Sequence, residues 1–475
     1  MKVIKNYLYN VGYQVLAIIV PLITSAYVSR VLRPAGVGAN AFTNSIIQYF
    51  ILFASMGIGY YGNRQIAYVR ENRDKMAKTF WEIQIVKTIM TLISYVVFVI
   101  FMAFYTRQAD YMWAQSINLI AVAFDISWFY EGIENFKVTV LKNSFVKIVS
   151  MIAIFVFIKN PSDVTLYIIV LAISTLLGNL TLWPNIHKDL PKVSYKTLNP
   201  WPHFLPMIEL FVPQIAIQVY VQLNRTMLGV MVNETAAGFY QYSDSLVKMT
   251  LALVTATGTV MLPHVANAFS KGDLNRVNEM LYKSFDFVSS MAYPMMFGLA
   301  AISLTLAPKY YGPGYGPVGK AMMIESFVIL MIGWSNVLGV QYLLPIHKQK
   351  EFTISVTLGA LVNIILNVPL IRLWGLNGAM VATSISEFSV TAYQLFAVRH
   401  LSNFKYLFHG SWKYFVSSFL MFMIVFWMNR CLRDTWLMMF VEILVGALVY
   451  GVLLFILRAP IILQGRNMMK KRFER

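Results

Sequence analysis

The chain is poor in charged residues and has almost no cysteine. Charged residues make up 13% of its 475 residues, hydrophobic residues make up 58%, and the mean hydropathy is +0.61. An ordinary globular domain has about 25% charged residues to cover its surface, so this composition excludes a soluble globular protein. The single cysteine, Cys431, excludes a disulfide within the chain and a cysteine-ligated metal cluster. The composition therefore indicates an all-α protein that crosses the membrane several times.

Long polar segments are also lacking. The largest segments between apolar stretches, near residues 185–203 and 263–284, are about 20 residues long, which leaves no room for a soluble catalytic domain. The sequence contains no His-Glu-x-x-His zinc motif, no P-loop and no Asp-x-Asp sugar-nucleotide motif. We therefore expect a protein that is not an enzyme and that needs neither a metal nor a cofactor.

The apolar stretches are long enough to cross a bilayer. A spanning helix needs about 20 mostly apolar residues, because unsatisfied backbone groups in hydrocarbon are costly. Asp125 interrupts the fourth stretch, so twelve or thirteen spans remain as alternatives to the full count. The sequence predicts about fourteen spans, at 9–29, 39–61, 81–104, 112–130, 139–158, 164–184, 204–231, 239–262, 285–307, 321–345, 352–371, 376–397, 411–429 and 436–457.

The distribution of lysine and arginine predicts the orientation. With the N-terminus inside, 27 of these residues fall on cytoplasmic segments and nine on outer segments. This ratio follows the positive-inside rule and predicts that both termini are cytoplasmic. The formal charge of +18 is then explained by topology and by attraction to anionic membrane lipid, so no nucleic-acid partner is expected.

A short internal similarity indicates a duplication. Residues 34–38 (Pro-Ala-Gly-Val-Gly) precede the second span, and residues 236–240 (Ala-Ala-Gly-Phe-Tyr) precede the eighth, at an offset of 202 residues and six spans. Membrane transporters are often built from such repeats. The interpretation is two six-helix lobes, residues 1–200 (spans 1–6) and 201–402 (spans 7–12), followed at 403–475 by two additional spans and a basic cytoplasmic tail. Residues 268–283 are expected to form a short amphipathic helix at the membrane surface.

Three cations are counted on neither side of the membrane and lie within predicted spans: Lys87, Arg225 and Lys248. Lys142, Lys147 and Lys413, toward the cytoplasmic ends of their spans, are counted with the cytoplasmic segments. A charge in the bilayer is costly and usually faces partners or water. Lys87 is expected either to extend to the cytoplasmic headgroups or to line a cavity. Arg225 continues a polar stripe at helical spacing, which indicates either a water-facing side of the helix or interhelical hydrogen bonds. The other members of that stripe are Gln214, Gln218 and Gln222.

Carboxylates within the spans are candidate coupling groups. Asp244 precedes Lys248 by four residues, so the two side chains can pair on one helical face. The pair either holds the helix in the bundle or exchanges partners when an anionic substrate arrives. Asp125 and Glu387 lie in or near spans, where a proton- or sodium-coupled transporter would place carboxylates. Helix packing accounts equally well for Glu387, which lies among small polar residues.

Several phrases of the sequence resemble the polysaccharide (O-antigen-repeat and capsular) flippases of the multidrug/oligosaccharidyl-lipid/polysaccharide exporter superfamily. The resemblance covers nearly the whole chain. Where the family often has Asp-Arg in the seventh span, this chain has Asn224-Arg225. The phrases are residues 6–14, Gly36-Val-Gly38, Gly57-Ile-Gly-Tyr-Tyr-Gly-Asn-Arg64, Leu223-Asn-Arg-Thr-Met-Leu-Gly229, Gly238-Phe-Tyr240 and Asn363-Ile-Ile-Leu-Asn367 with Gly375-Leu-Asn-Gly-Ala379.

This resemblance implies a flippase in the bacterial inner membrane. It would move an undecaprenyl-diphosphate-linked oligosaccharide to the outer leaflet by alternating access, for capsule, exopolysaccharide or O-antigen assembly. The polysaccharide polymerase and the chain-length machinery are candidate partners. The cations expected to bind the diphosphate are Arg225, Lys248, Lys87 and Arg64, and the polar groups expected to meet the sugars are Gln214, Gln218, Gln222, Asn224 and Tyr220. The carboxylates expected to couple transport to H⁺ or Na⁺, or to pair with the cations, are Asp244, Asp125 and Glu387.

The alternative interpretation is an ion-coupled drug or metabolite exporter of the same superfamily. Such an exporter would more naturally carry acidic cavity residues for cationic drugs. The cations within the spans of this chain favour an anionic substrate instead. A membrane polymerase or glycosyltransferase would need a substantial outer loop or a metal-binding carboxylate motif, and the sequence has neither.

Overall fold

The computed structural model describes residues 2–255 and 258–463. Within these residues the chain forms helices and no strand, as the sequence predicts. An apolar chain in a bilayer can satisfy its backbone groups inside each helix, which explains this all-α architecture. The chain divides into two compact units, Met1–Gly238 and Phe239–Arg475. The predicted division into segments 1–200, 201–402 and 403–475 stays a prediction.

The first unit contains nine α-helices. The first of them is kinked at Arg33, whose φ of 60° is not helical, and Pro34 follows without an amide donor. This kink lies between the first two predicted spans. The helices are α1 (Lys2–Ser55), α2 (Ile58–Val69), α3 (Arg73–Phe104), α4 (Ala109–Phe124), α5 (Ser127–Gly132), α6 (Phe136–Phe157), α7 (Val164–Leu180), α8 (Ile186–Asp189) and α9 (Trp201–Met231).

The remaining helices belong to the second unit. The first of them begins at Glu234, four residues before the last residue of the first unit, Gly238. A π-helix, Asn336–Leu343, continues directly from the fifth of them. The helices are α10 (Glu234–Thr255), α11 (Gly258–Ser270), α12 (Leu274–Tyr311), α13 (Gly316–Glu325), α14 (Phe327–Ser335), α15 (Gln349–Trp374), α16 (Leu376–Val398), α17 (Phe404–Leu407), α18 (Ser411–Cys431) and α19 (Trp436–Ile456).

Nine helical segments of the described chain are long and apolar enough to cross a membrane. The first of these segments, Leu16–Val69, alone contains most of the first predicted span and all of the second. Helix α4 has only 16 residues, and α10 carries Asp244 and Lys248, so these helices are shorter or more polar than the nine. The chain is therefore a multi-pass membrane protein, and the count of fourteen spans stays a prediction.

Helix α3 shows how such a chain reverses the usual arrangement of a soluble helix. Its exposed face is apolar and suits contact with lipid, whereas its buried face carries polar side chains at spacings of three and four residues. The polar side chains can therefore meet partners from other helices of the first unit. The exposed residues are Leu92, Ile93, Val96, Val97 and Ile100, and the buried polar residues are Gln84, Lys87, Thr91 and Ser94.

The prediction of a separate surface helix at 268–283 is wrong. The chain turns at Gly272, whose φ is +73°, and Asp273 then caps a new helix by accepting the backbone N–H of Arg276 at 3.0 Å. This helix, α12, continues without a break to Tyr311. The amphipathic stretch therefore contains the end of the preceding helix, a turn and the first turns of a much longer helix, and its pattern could not reveal these boundaries.

Close packing against α2 gives a test of the fold. A Cβ atom added at Gly62 would lie 2.5 Å from the indole ring of Trp128, which is buried and stacks on the buried ring of Phe80. We expect Gly62→Ala to lower stability by about 1–3 kcal/mol through overpacking, measured as a lower Tm in detergent. Gly59→Ala on the same helix is the control, because nothing lies within 4 Å of its added Cβ. That variant should gain up to about 1 kcal/mol from helix propensity. An equal Tm for the two variants would contradict the packing described here.

Candidate functional site

A polar cavity of about 500 Å³ lies inside the first unit. It is lined by residues of α1 to α7, and its polar residues come from helices whose outer faces are apolar. This volume lies within the usual range for ligand pockets. The polar lining residues are Gln48, Ser55, Lys87, Asn118, Asp125, Ser127, Glu131, Lys142, Thr175 and Asn179.

The cavity forms where the fourth predicted span is broken. Helix α4 ends at Phe124, and α5 begins at Ser127. Asp125 between them is extended, with φ −78° and ψ 106°. Its carboxylate Oδ1 accepts the backbone N–H of Ser127 at 3.0 Å and the Ser127 hydroxyl at 2.5 Å. This local turn explains why the helix stops at Asp125, because aspartate competes with the helix for backbone donors.

The break leaves carbonyl groups at the end of α4 without helical partners. Side chains from α3, α7 and the residues after α7 supply the missing donors. One of the donors is an ammonium group, which also suits the negative end of the α4 dipole. The hydrogen bonds are Gln84 Nε2 to the carbonyl of Ala123 (2.7 Å), Lys87 Nζ to that of Asp125, Asn179 Nδ2 to that of Ala121 (2.7 Å) and Trp183 Nε1 to that of Phe124 (2.9 Å).

Four charged groups line the cavity in equal numbers of each sign. The Lys142 ammonium lies 3.5 Å from Asp125 Oδ1 and donates a hydrogen bond to the Ser127 hydroxyl at 3.1 Å. Glu131 Oε2 lies 3.5 Å from the side-chain amide of Asn63. Since Lys87 and Lys142 balance Asp125 and Glu131, the charges of the cavity offset one another. This arrangement reduces the free-energy cost of placing each charge among membrane helices.

The structure brings together two of the residues singled out in the sequence, Lys87 and Asp125. Lys87 is buried and does not extend to the surface. Arg64 is exposed on α2, with its guanidinium 5.8 Å from the centre of the Tyr61 ring, and it does not line the cavity. These placements show where the residues lie, and the binding roles stay predictions.

The polar stripe of α9 is partly exposed and partly buried. Gln218 is exposed, Gln222 and Asn224 are buried, and Arg225 is half-buried. The side chains of Gln214 and Tyr220 lie outside the described residues. Helix α9 packs on α1 one residue after Arg225, where the Thr226 hydroxyl donates to Ser45 Oγ at 2.9 Å. The choice between a water-facing stripe and interhelical hydrogen bonding therefore stays open.

The second unit holds the other predicted charges. The Asp244–Lys248 pair is confirmed, with the Lys248 ammonium 2.9 Å from the Asp244 carboxylate. Asp244 is buried and Lys248 is exposed. The buried Glu325 accepts a hydrogen bond from the neighbouring Ser243 at 2.6 Å, and Glu387 is half-buried on α16. Across the residues that the structure describes, no group of three His, Cys, Asp or Glu side chains could hold a metal ion.

Sequence reasoning missed Lys142 and its partner Ser127. Lys142 is one of the 27 lysines and arginines that the sequence assigns to cytoplasmic segments, yet it lies three residues inside the predicted fifth span, and that position is the available signal. Nothing in the sequence brings α6 next to the α4–α5 break. The same holds for Asn179 on α7, whose role depends entirely on the packing of that helix.

The carbonyl acceptors at the break give a test of this site. We expect Asn179→Ala to lower stability by about 1–3 kcal/mol, because it leaves the buried carbonyl of Ala121 without its donor. Thermal unfolding in detergent measures the change. Asn118→Ala is the matched control, since Asn118 lines the same cavity but donates to the Gln115 side chain instead of a helix-end carbonyl. Equal losses from the two variants would show that capping of α4 is unimportant.

Sequence comparison finds a family model and a similar protein, which are named for polysaccharide biosynthesis and for O-antigen transport. A family model described as polysaccharide biosynthesis protein matches residues 3–269. The putative O-antigen transporter of Escherichia coli (strain K12) is 24% identical over 403 residues, covering 83% of this chain and 96% of that protein.

Solved structures show the same fold at low identity. The structure of the lipid II flippase MurJ in an inward closed conformation superposes with a TM-score of 0.78 at 17% identity, covering 95% of this chain and 98% of that chain. An inward-facing multidrug resistance transporter of the MATE family, in the MOP superfamily, gives a TM-score of 0.62 at 12% identity, covering 80% and 94%. These likenesses show that the chain shares its helical fold with these proteins.

Proposed function

The chain belongs to the polysaccharide biosynthesis protein family, as a flippase and not an enzyme, and from this premise we propose that it moves an undecaprenyl-diphosphate-linked oligosaccharide across the membrane. Transport runs from the inner to the outer leaflet of the bacterial plasma membrane, by alternating access and with both termini cytoplasmic. The transported oligosaccharide is then used in the assembly of capsule, exopolysaccharide or O-antigen. A polymerase and chain-length proteins are the proposed partners.

The observation that carries this proposal is a pair of lysines inside membrane-spanning helices. Lys87 on α3 and Lys142 on α6 both line the cavity, and both helices are apolar enough to span the membrane. A diphosphate cannot enter hydrocarbon unaided, and charge-assisted hydrogen bonds from ammonium groups would stabilise it. Asp125 and Glu131 line the same cavity, so the preference for a lipid-linked anion over a drug or metabolite rests on these lysines together with the likeness to the putative O-antigen transporter.

The proposal assigns roles to the residues identified in the sequence. Arg225, Lys248 and Arg64 contribute to diphosphate binding at successive stages of transport, with arginine suited to phosphate through its planar group of donors. Lys87 contributes indirectly, because it holds the break between α4 and α5 through the Asp125 carbonyl. The amide side chains of α9 meet the sugars. Coupling to H⁺ or Na⁺ would use the carboxylates Asp244, Asp125 and Glu387.

Arg225 gives the direct functional test. We expect Arg225→Ala to abolish polysaccharide export and Arg225→Lys to keep part of it, because lysine retains the charge but not the planar donors. The assay is complementation of a strain that lacks its own flippase, with surface polysaccharide measured and membrane levels of each variant matched. The control is Arg372→Ala, which removes an exposed arginine at the end of α15. Normal export by Arg225→Ala, or equal loss in both alanine variants, would remove Arg225 from the site.

A further inference from the structure

The two lysines of the cavity have different surroundings. Lys87 is only 4% exposed, and its ammonium donates to the backbone carbonyl of Asp125, so it is engaged in capping α4. Lys142 contacts side chains instead, namely the Ser127 hydroxyl and the Asp125 carboxylate. A backbone carbonyl at a helix end cannot move without changing the helix, whereas a side-chain partner can. Lys142 is therefore the lysine that can exchange its partner.

The contact between Lys142 and Asp125 is loose. Its 3.5 Å separation exceeds the roughly 2.7–2.9 Å typical of a hydrogen bond between an ammonium group and a carboxylate. The Asp125 side chain is 40% exposed, while that of Lys142 is 11% exposed. The carboxylate is already held by the N–H and hydroxyl of Ser127. Asp125 thus neutralises the charge of Lys142 without making a short hydrogen bond to its ammonium group.

We infer that Lys142 and the Ser127 hydroxyl form the site that binds a phosphate group of the lipid headgroup, with Asp125 as a resident counter-ion that the phosphate replaces. Lys87 is a positioning residue, which holds the α4–α5 break in shape and does not contact the phosphate. The inference rests on the proposed function and deepens it. It assigns the phosphate to Lys142, a residue that is not among the candidate binding residues predicted from the sequence.

A resident counter-ion fits the needs of transport. Without substrate, Asp125 lowers the cost of a buried ammonium group among membrane helices. When the headgroup enters, Lys142 gives up one anionic partner for another, so the net gain in free energy stays modest. Transport sites need binding that is strong enough for entry and weak enough for release. A lysine with no counter-ion would hold the diphosphate more tightly and release it more slowly.

The test measures binding of undecaprenyl diphosphate to the purified full-length protein in detergent. The same substitution is made at both lysines. We expect Lys142→Gln to raise Kd by about tenfold or more, the factor for a lost hydrogen bond between charged groups. Lys87→Gln keeps an N–H donor for the Asp125 carbonyl and should change Kd by less than about threefold. Lys147→Ala, on the same helix as Lys142 but away from the cavity lining, is the control.

Asp125→Asn separates a counter-ion from a merely structural residue. We expect this variant to bind the lipid about threefold more tightly or better, because the competing anion is gone. The Tm of every variant is measured, so that a loss of binding is not confused with a loss of folding. Lys142→Arg keeps the positive charge and should bind the lipid as the wild type does. Inorganic pyrophosphate is added as a competitor. We expect it to displace the lipid, because the site recognises the phosphate group and not the lipid tail.

The outcomes distinguish the inference from the proposed function. If wild type binds the lipid and Lys142→Gln binds equally well, or if the two glutamine variants lose affinity equally, the assignment to Lys142 is wrong while the flippase proposal stands. Weaker binding by a folded Asp125→Asn variant would overturn the counter-ion role. If the wild-type protein does not bind undecaprenyl diphosphate at all, the proposed function itself fails.

Discussion

A helix that ends inside a membrane protein exposes carbonyl groups that hydrocarbon cannot satisfy, and the cavity of the first unit depends on how this chain satisfies them. Helix α4 stops at Phe124 because Asp125 folds back on Ser127. Side chains of α3 and α7 then donate to the exposed carbonyls, Lys87 among them. The break turns polar atoms toward the interior of the unit, and the charged groups of the cavity collect around it.

Each unit contains a pair of opposite charges, and the geometry of the pair differs between the units. In the first unit Asp125 lies in the break between α4 and α5, Lys142 lies on α6, and the two remain 3.5 Å apart. In the second unit Asp244 and Lys248 lie one turn apart on α10 and make a contact of 2.9 Å. A pair within one helix is set by that helix alone, whereas a pair between helices depends on their packing. A substrate can therefore displace the partner more easily in the Asp125–Lys142 contact than in the Asp244–Lys248 contact.

The sequence alone predicted the helical, multi-pass class and the family, because both depend on composition, on long apolar runs and on short phrases. It also predicted the Asp244–Lys248 pair, since a spacing of four residues fixes that contact locally. It identified Lys87 and Asp125 separately and could not place them together, because α3 and α4 meet only through tertiary packing. Lys142 was counted as a cytoplasmic cation, and its contact with Ser127 depends on the position of α6. The helix predicted at 268–283 was wrong because α12 extends far beyond its amphipathic first turns.

The central claim is that the ammonium group of Lys142, within a membrane helix, holds the phosphate of a lipid-linked sugar. A cryo-EM structure of the protein with bound undecaprenyl diphosphate tests this claim most directly. The account predicts a phosphate oxygen about 2.9 Å from the Lys142 ammonium, with the Asp125 carboxylate moved away and Lys87 still on its backbone carbonyl. A headgroup bound elsewhere, with the Lys142–Asp125 contact unchanged, would contradict the account.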